Sequence, residues 1–146
     1  PAMTEHDFFG FRVEIDEAAT RAWYAQADEW GCDCGDCRNF LKLAHERALP
    51  APVLELLDGL GIPPAKATYV CMMYNSKAGY LYEFSYRVAG NILAGDETSS
   101  VPWEGGNAWC HHEPYPYGAP DFPEPHFDVG FYFYFTLPWA LDEPRK

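Results

Sequence analysis

A chain of 146 residues with ten lysines and arginines against 22 aspartates and glutamates carries a formal charge of −12. That field repels a phosphate backbone or an anionic lipid surface, and the few basic residues are scattered rather than striped, which excludes nucleic acid and membranes as partners. Apolar residues make up 48% and aromatics 17% of the sequence, enough for one buried core, so a single domain over residues 1–146 is expected.

Pro1 and Ala2 ahead of Met3 read as a cloning remnant. The following residues lack the basic and apolar regions of a signal peptide, and no apolar run reaches the roughly 18 residues of a membrane span. A cytoplasmic location with reduced thiols is the expectation, to which an odd number of cysteines, five, is suited.

"FFGFRVEID" alternates, with Phe9, Phe11, Val13 and Ile15 on one face, and predicts a half-buried strand over 8–16. Asp16 then suits a helix N-cap, where its carboxylate accepts orphan amide protons. Ala19, Trp23, Ala27 and Trp30 recur at helical spacing and predict a helix that Gly31 stops. A second helix follows the cysteine-rich stretch, with Asp36 as N-cap, Phe40, Leu41, Ala44 and Ala48 inward, and Lys42, His45 and Glu46 outward. "LPAP" breaks the chain, and Pro52 fits the first turn of a third helix, carrying Val53, Leu54, Leu57 and Leu60, that the glycines of "DGLG" end.

From Thr68 the period becomes two. "TYVCMMY" (68–74) and "GYLYEFSYRV" (79–88) read as a hairpin, with Tyr80, Tyr82, Phe84, Tyr86 and Val88 sharing a face. "GNILAG" extends or follows it, "GDETSS" (95–100) is a polar loop, and "NAWCHH" (107–112) is a short strand. Residues 113–126 hold five prolines and predict an extended surface loop. "FDVGFYFYFTLPW" (127–139) alternates again, with Val129, Phe131, Phe133, Phe135 and Leu137 on one side and Tyr132, Tyr134 and Thr136 on the other. The fold class is α+β: an N-terminal strand and three short helices packed on an antiparallel, aromatic-rich sheet.

The chemistry concentrates in "GCDCGDC". Cys32, Cys34 and Cys37 sit on a glycine-containing turn that lets three thiolates converge on one ion, and zinc takes four sulfur or nitrogen ligands. Cys110 or His112 of "WCHHEP" is the candidate for the fourth position, with Cys71 a further one. Alternatively "CGDC" is a redox unit, Cys34 the nucleophile and Cys37 its resolving partner at a helix N-terminus that stabilises a thiolate. Asp33 and Asp36 oppose this, as does the polar-faced helix standing where a thioredoxin-like fold has a buried strand. The third reading is buried thiols that fill space, with Cys37 on the inner stripe of its helix and Cys71 on an apolar strand.

His111, His112, Glu113, Asp121, Glu124, His126 and Asp128 offer mixed ligands for a metal-dependent hydrolase, yet without a paired-histidine motif, and solvated Pro-rich loops are commonly acidic. The aromatic strand faces, with Trp103 and Trp109 nearby, pack a core or cross-strand pairs. Where both faces of the last strand are aromatic, one is open to a second copy or a protein partner.

The string Trp30-Gly-Cys32-Asp-Cys34-Gly-Asp-Cys37-Arg-Asn39-Phe40, followed by "LPAPVLELLDGLGI" and a final "FYFYFTLPWAL", resembles an uncharacterised family of small bacterial proteins. They share a W-x-C-x-C-x-x-C-x-N-F core and an aromatic last strand, over most of the chain. The resemblance implies no activity, substrate or cofactor. The expectation is therefore a small, soluble, non-enzymatic binding or interaction domain, dimeric or partnered through its aromatic sheet face, whose cysteine loop is a local structural site, either a zinc loop or a thiol-rich turn. The thiol-disulfide oxidoreductase and the hydrolase at 111–126 are the alternatives.

Overall fold

A computed structural model describes residues 3–77, 79–113 and 115–145, excepting the side chains of Ser76, Phe135 and Thr136. The expected orientations of Phe135 and Thr136, and the reading of Pro1 and Ala2, lie outside the described residues.

The N-terminal alternation forms a hairpin rather than one strand: β1 (Thr4–Phe8) pairs antiparallel with β2 (Phe11–Ile15). Phe9 and Gly10 turn the chain at φ of 37° and 93°, a pair of positive values that matches the twist of a tight hairpin. Phe11, Val13 and Ile15 are buried as the alternation requires. Phe9 leaves that row and tilts against Trp103, ring centroids 5.3 Å apart.

Helix α1 (Glu17–Gln26) starts where Asp16 Oδ1 accepts the Ala19 amide at 2.9 Å. It buries Thr20, Trp23 and Tyr24 and ends at Gln26, short of Trp30. Asp28 and Glu29 stand where the negative end of the helix dipole opposes acidic side chains. Helix α2 (Gly35–His45) is capped not by Asp36 but by Cys34, whose Sγ accepts the Cys37 amide at 3.4 Å. Its inner face is Cys37, Asn39, Phe40, Leu43 and Ala44. Ala48 is exposed, because Arg47 at φ 54° has already turned the chain. Helix α3 (Ala51–Leu60) carries Pro52 in its first turn and closes at Gly61, φ 71°, with the Ile62 amide reaching back to the Leu57 carbonyl at 2.9 Å.

The remaining strands are β3 (Tyr69–Ser76), β4 (Gly79–Ala94), β5 (Val101–Trp103), β6 (Gly106–His111) and β7 (His126–Leu137). They complete a seven-stranded sheet in the order β1-β2-β4-β7-β6-β5, with β3 also on β4 and every pairing antiparallel. The architecture is α+β. Strand β4, 16 residues long, organises the sheet: Tyr69–Ser76 pairs along its first half, β2 along its end, and β7 along most of its length. At the changeover Gly90 lies against β2 so closely that a Cβ there would stand 1.9 Å from the Glu14 carbonyl oxygen.

One sheet face is the core. Tyr82, Phe84, Tyr86, Val88, Val129, Phe131 and Phe133 are almost wholly buried, and Phe40 of α2 tilts onto Phe84 with centroids 5.0 Å apart. The buried tyrosine hydroxyls find acceptors: Tyr24 donates to the Arg87 carbonyl at 2.7 Å, Tyr82 to that of Asp36 at 2.8 Å, and Tyr86 to that of Pro64 at 2.7 Å. The Pro-rich segment is less superficial than its composition predicts, since Phe122 is buried against Trp23 at 4.8 Å. No helix among the described residues is long and apolar enough to cross a membrane.

Candidate metal centre

The polypeptide between α1 and α2 is irregular, and it brings the three cysteines together at the start of α2. The Sγ atoms of Cys32, Cys34 and Cys37 all lie within 4.8 Å of one another. A tetrahedral ion with metal–sulfur bonds of about 2.3 Å holds its sulfurs about 3.8 Å apart, so a contraction of at most about 1 Å closes the loop on an ion. Cys32 and Cys34 are exposed while Cys37 is buried. The cluster therefore has an inner anchor and an open outer side.

Each sulfur has a distinct environment. Burial raises the Cys37 thiol well above its ordinary value, although the indole Nε1–H of Trp30 donates to its sulfur at 3.2 Å. Cys32 is shifted the other way, chiefly because the Cys34 backbone hydrogen-bonds to it, with the Cys37 and Cys34 thiols adding to the effect and Asp33 opposing it. Cys34 is the N-cap of α2, where the partial positive charge of the helix emerges.

The outer side of the cluster opens on a cleft of about 350 Å³ lined by Asp33, Cys34, Asp36, Arg38, Trp139 and Arg145, among others. Arg38 pairs with Glu143, and Arg145 grips Asp36 at 2.9 and 3.3 Å, so the C-terminal segment folds back over the loop. Asn39 fastens it from beneath: its Nδ2 donates to the Pro138 carbonyl at 3.0 Å and its Oδ1 accepts the Ala140 amide at 2.6 Å. None of Trp139, Glu143 or Arg145 was legible as a neighbour of the cysteines. Asn39 was the available signal, a buried amide within an apolar stripe.

The two fourth-ligand candidates are not brought to this loop. Cys110 is wholly buried on the inner face of β6, beside the aromatic core, and burial pushes its thiol far up. His112 is exposed and its Nδ1 lies 2.8 Å from Glu97 Oε2. Cys71 lies on β3 opposite Glu83. Among the described residues, the three-cysteine cluster is the one group of three or more potential ligands this close together.

The histidine-rich segment disperses. His111 Nδ1 accepts the Glu113 amide at 3.0 Å, His126 stands edge-on to Phe122 at 5.8 Å, and Asp128 pairs with Arg87 at 3.3 Å. Asp121 forms a turn at φ 59°. His111, Glu113 and Asp128 line one shallow cavity on the outer sheet face, but these residues form no group close enough to share a metal ion. Searches of family models, curated proteins and solved structures return no match to this chain.

Proposed function

We propose that this protein is a small, non-enzymatic binding or interaction domain whose Cys32–Cys34–Cys37 loop holds a structural zinc ion. The observation that carries the reading is the convergence of three thiol sulfurs at a helix N-terminus, one anchored in the core and bonded by Trp30. Soft sulfur donors in this number suit zinc. A zinc ion there would tie the irregular segment after α1 to the first turn of α2, leaving its fourth position to a ligand from solution. The cleft on that side and the outer face of the sheet are where we place a partner, a second copy included.

The rival reading is thiol–disulfide exchange. What favours it is Cys32, exposed and shifted toward the thiolate, beside two further thiols. The nucleophile in that case is Cys32 rather than Cys34, which the cap bond occupies. Metal analysis of protein purified under reducing conditions, paired with thiol titration, separates the two. One equivalent of zinc, lost in Cys34→Ser together with thermal stability, supports the metal loop. A metal-free protein with a rapidly reacting thiol turns the assignment to exchange chemistry, and a metal-free protein with ordinary thiols refutes both.

A further inference from the structure

The sheet face turned away from the helices carries a second feature, independent of the thiol loop. The pairing register sets Tyr69 of β3 opposite Ser85 of β4, Ser85 opposite Gly130 of β7, and Gly130 opposite Trp109 of β6. Two small residues in the middle of a rung and two large aromatics at its ends make a trough. Its walls are doubled: Tyr69 packs with Tyr115 at 4.9 Å between centroids, and Trp109 with Tyr132 at 4.6 Å. Trp109 is seated by the missing side chain of Gly130, where a Cβ would stand 2.1 Å from the indole ring.

The trough is a cavity of about 290 Å³, and its lining includes the carboxylates of Glu83, Glu113 and Asp128 and the imidazole of His111, but no lysine or arginine. Asp128 is paired with Arg87 opposite it on β4, itself buried and spent on Asp128 and on the Tyr115 carbonyl at 2.5 Å. Glu83 has no such partner: among the described residues no basic side chain forms an ion pair with it. Its contact is the Tyr132 hydroxyl, and burial holds its carboxyl above the usual range. A half-buried carboxylate in a trough walled by aromatic rings is the arrangement that attracts a cation too large to hydrate tightly. A metal ion is poorly served here, because Glu83, His111, Glu113 and Asp128 of the lining do not draw close enough together to share one ion; among the described residues only the three cysteines do. The overall charge of −12 draws cations toward the surface.

We propose that this trough binds an organic ammonium ion, with Trp109 and Tyr69 supplying cation–π faces and Glu83 the counter-charge. The head group is a protonated or quaternary amine of a few carbons, which the volume accommodates.

Choline is the probe, and 3,3-dimethylbutan-1-ol, its uncharged carbon isostere, is the control. In two-dimensional ¹H–¹⁵N spectra, choline should shift the Trp109 indole and the Ser85 and Gly130 amides in a saturable, one-to-one manner, leaving Cys32, Cys34 and Cys37 unmoved. The isostere should bind at least about tenfold more weakly, and Glu83→Gln should weaken choline by about the same factor. Trp109→Leu should abolish the shifts; because that change can perturb folding, Glu83→Gln is the deciding variant. Equal binding of the isostere, shifts centred elsewhere, or no saturable shift at about 100 mM choline each overturns the proposal. The state of the thiol loop is read separately by its metal content.

Discussion

The indole N–H of Trp30 points at the sulfur of Cys37 across 3.2 Å, joining a residue of the irregular segment after α1 to the first turn of α2. This contact matters because Cys37 is the buried member of the cluster, so its orientation sets where an ion can sit. An outer donor of this kind keeps a metal-bound sulfur in place and modulates its basicity.

Trp30→Phe keeps the aromatic packing on Tyr69 and Tyr115 and removes the donor alone. Zinc affinity, measured by competition with a chromophoric chelator, should fall by about tenfold or more while the fold persists by circular dichroism. Unchanged affinity would show that Trp30 packs without supporting the site.

The exposures of the five cysteines predict an order of alkylation in the metal-free protein. Cys32 and Cys34 should react first and Cys37 and Cys110 last, with Cys32 ahead of the rest below about pH 8 because its thiolate is favoured by the Cys34 backbone. Peptide mapping after brief iodoacetamide treatment gives the order. Early modification of Cys37 would contradict the burial described for it.

Arg87 and Asp128 face each other across β4 and β7, and both side chains are about 95% buried. Arg87→Met leaves a buried carboxylate unpaired and should cost about 3–5 kcal/mol by urea unfolding. Arg87→Met with Asp128→Leu should recover most of that loss. Burial already raises the Asp128 carboxyl above its ordinary value, and removing the guanidinium raises it further. A carboxyl raised by folding favours the folded state below its unfolded value and loses that contribution as pH climbs through the folded value. The deficit of Arg87→Met should therefore shrink as pH is lowered toward about 4.

Glu83 obeys the same sign, since burial raises its carboxyl too. In the unliganded protein Glu83→Gln should remove part of the stability lost as pH climbs above about 4, flattening the profile of urea midpoint against pH. A parallel profile for the two proteins would mean that Glu83 titrates alike in the folded and unfolded chain.

Two glycines should respond oppositely to alanine. Gly90→Ala drives a Cβ into the Glu14 carbonyl at φ 148° and should cost more than about 3 kcal/mol by parting β2 from β4. Gly59→Ala, inside α3 with nothing within 4 Å of the new atom, should stabilise by about 0.5–1 kcal/mol. Thermal melts of both variants test the pair.

What the amino-acid order determined on its own was local and periodic. The inward rows Phe11, Val13, Ile15 and Tyr82, Phe84, Tyr86, Val88 follow from alternation, and the Asp16 cap and the Gly61 stop follow from backbone chemistry within a few residues. The clustering of Cys32, Cys34 and Cys37 was legible for the same reason, their short spacing. The turn at Phe9 and Gly10 was hidden because the hydrophobic alternation runs straight through it, and the Cys34 cap was hidden behind Asp36, a commoner cap. Everything carried by partners far apart in the chain was decided by tertiary structure. Trp139 and Arg145 beside the cysteine loop, Arg87 opposite Asp128, and the rung from Tyr69 to Trp109 depend on which strands pair and in what register. That register is set by the burial of whole strand faces rather than by any neighbouring residue. So the thiol loop stands out in the linear sequence, while the trough across the sheet exists only once four strands are aligned.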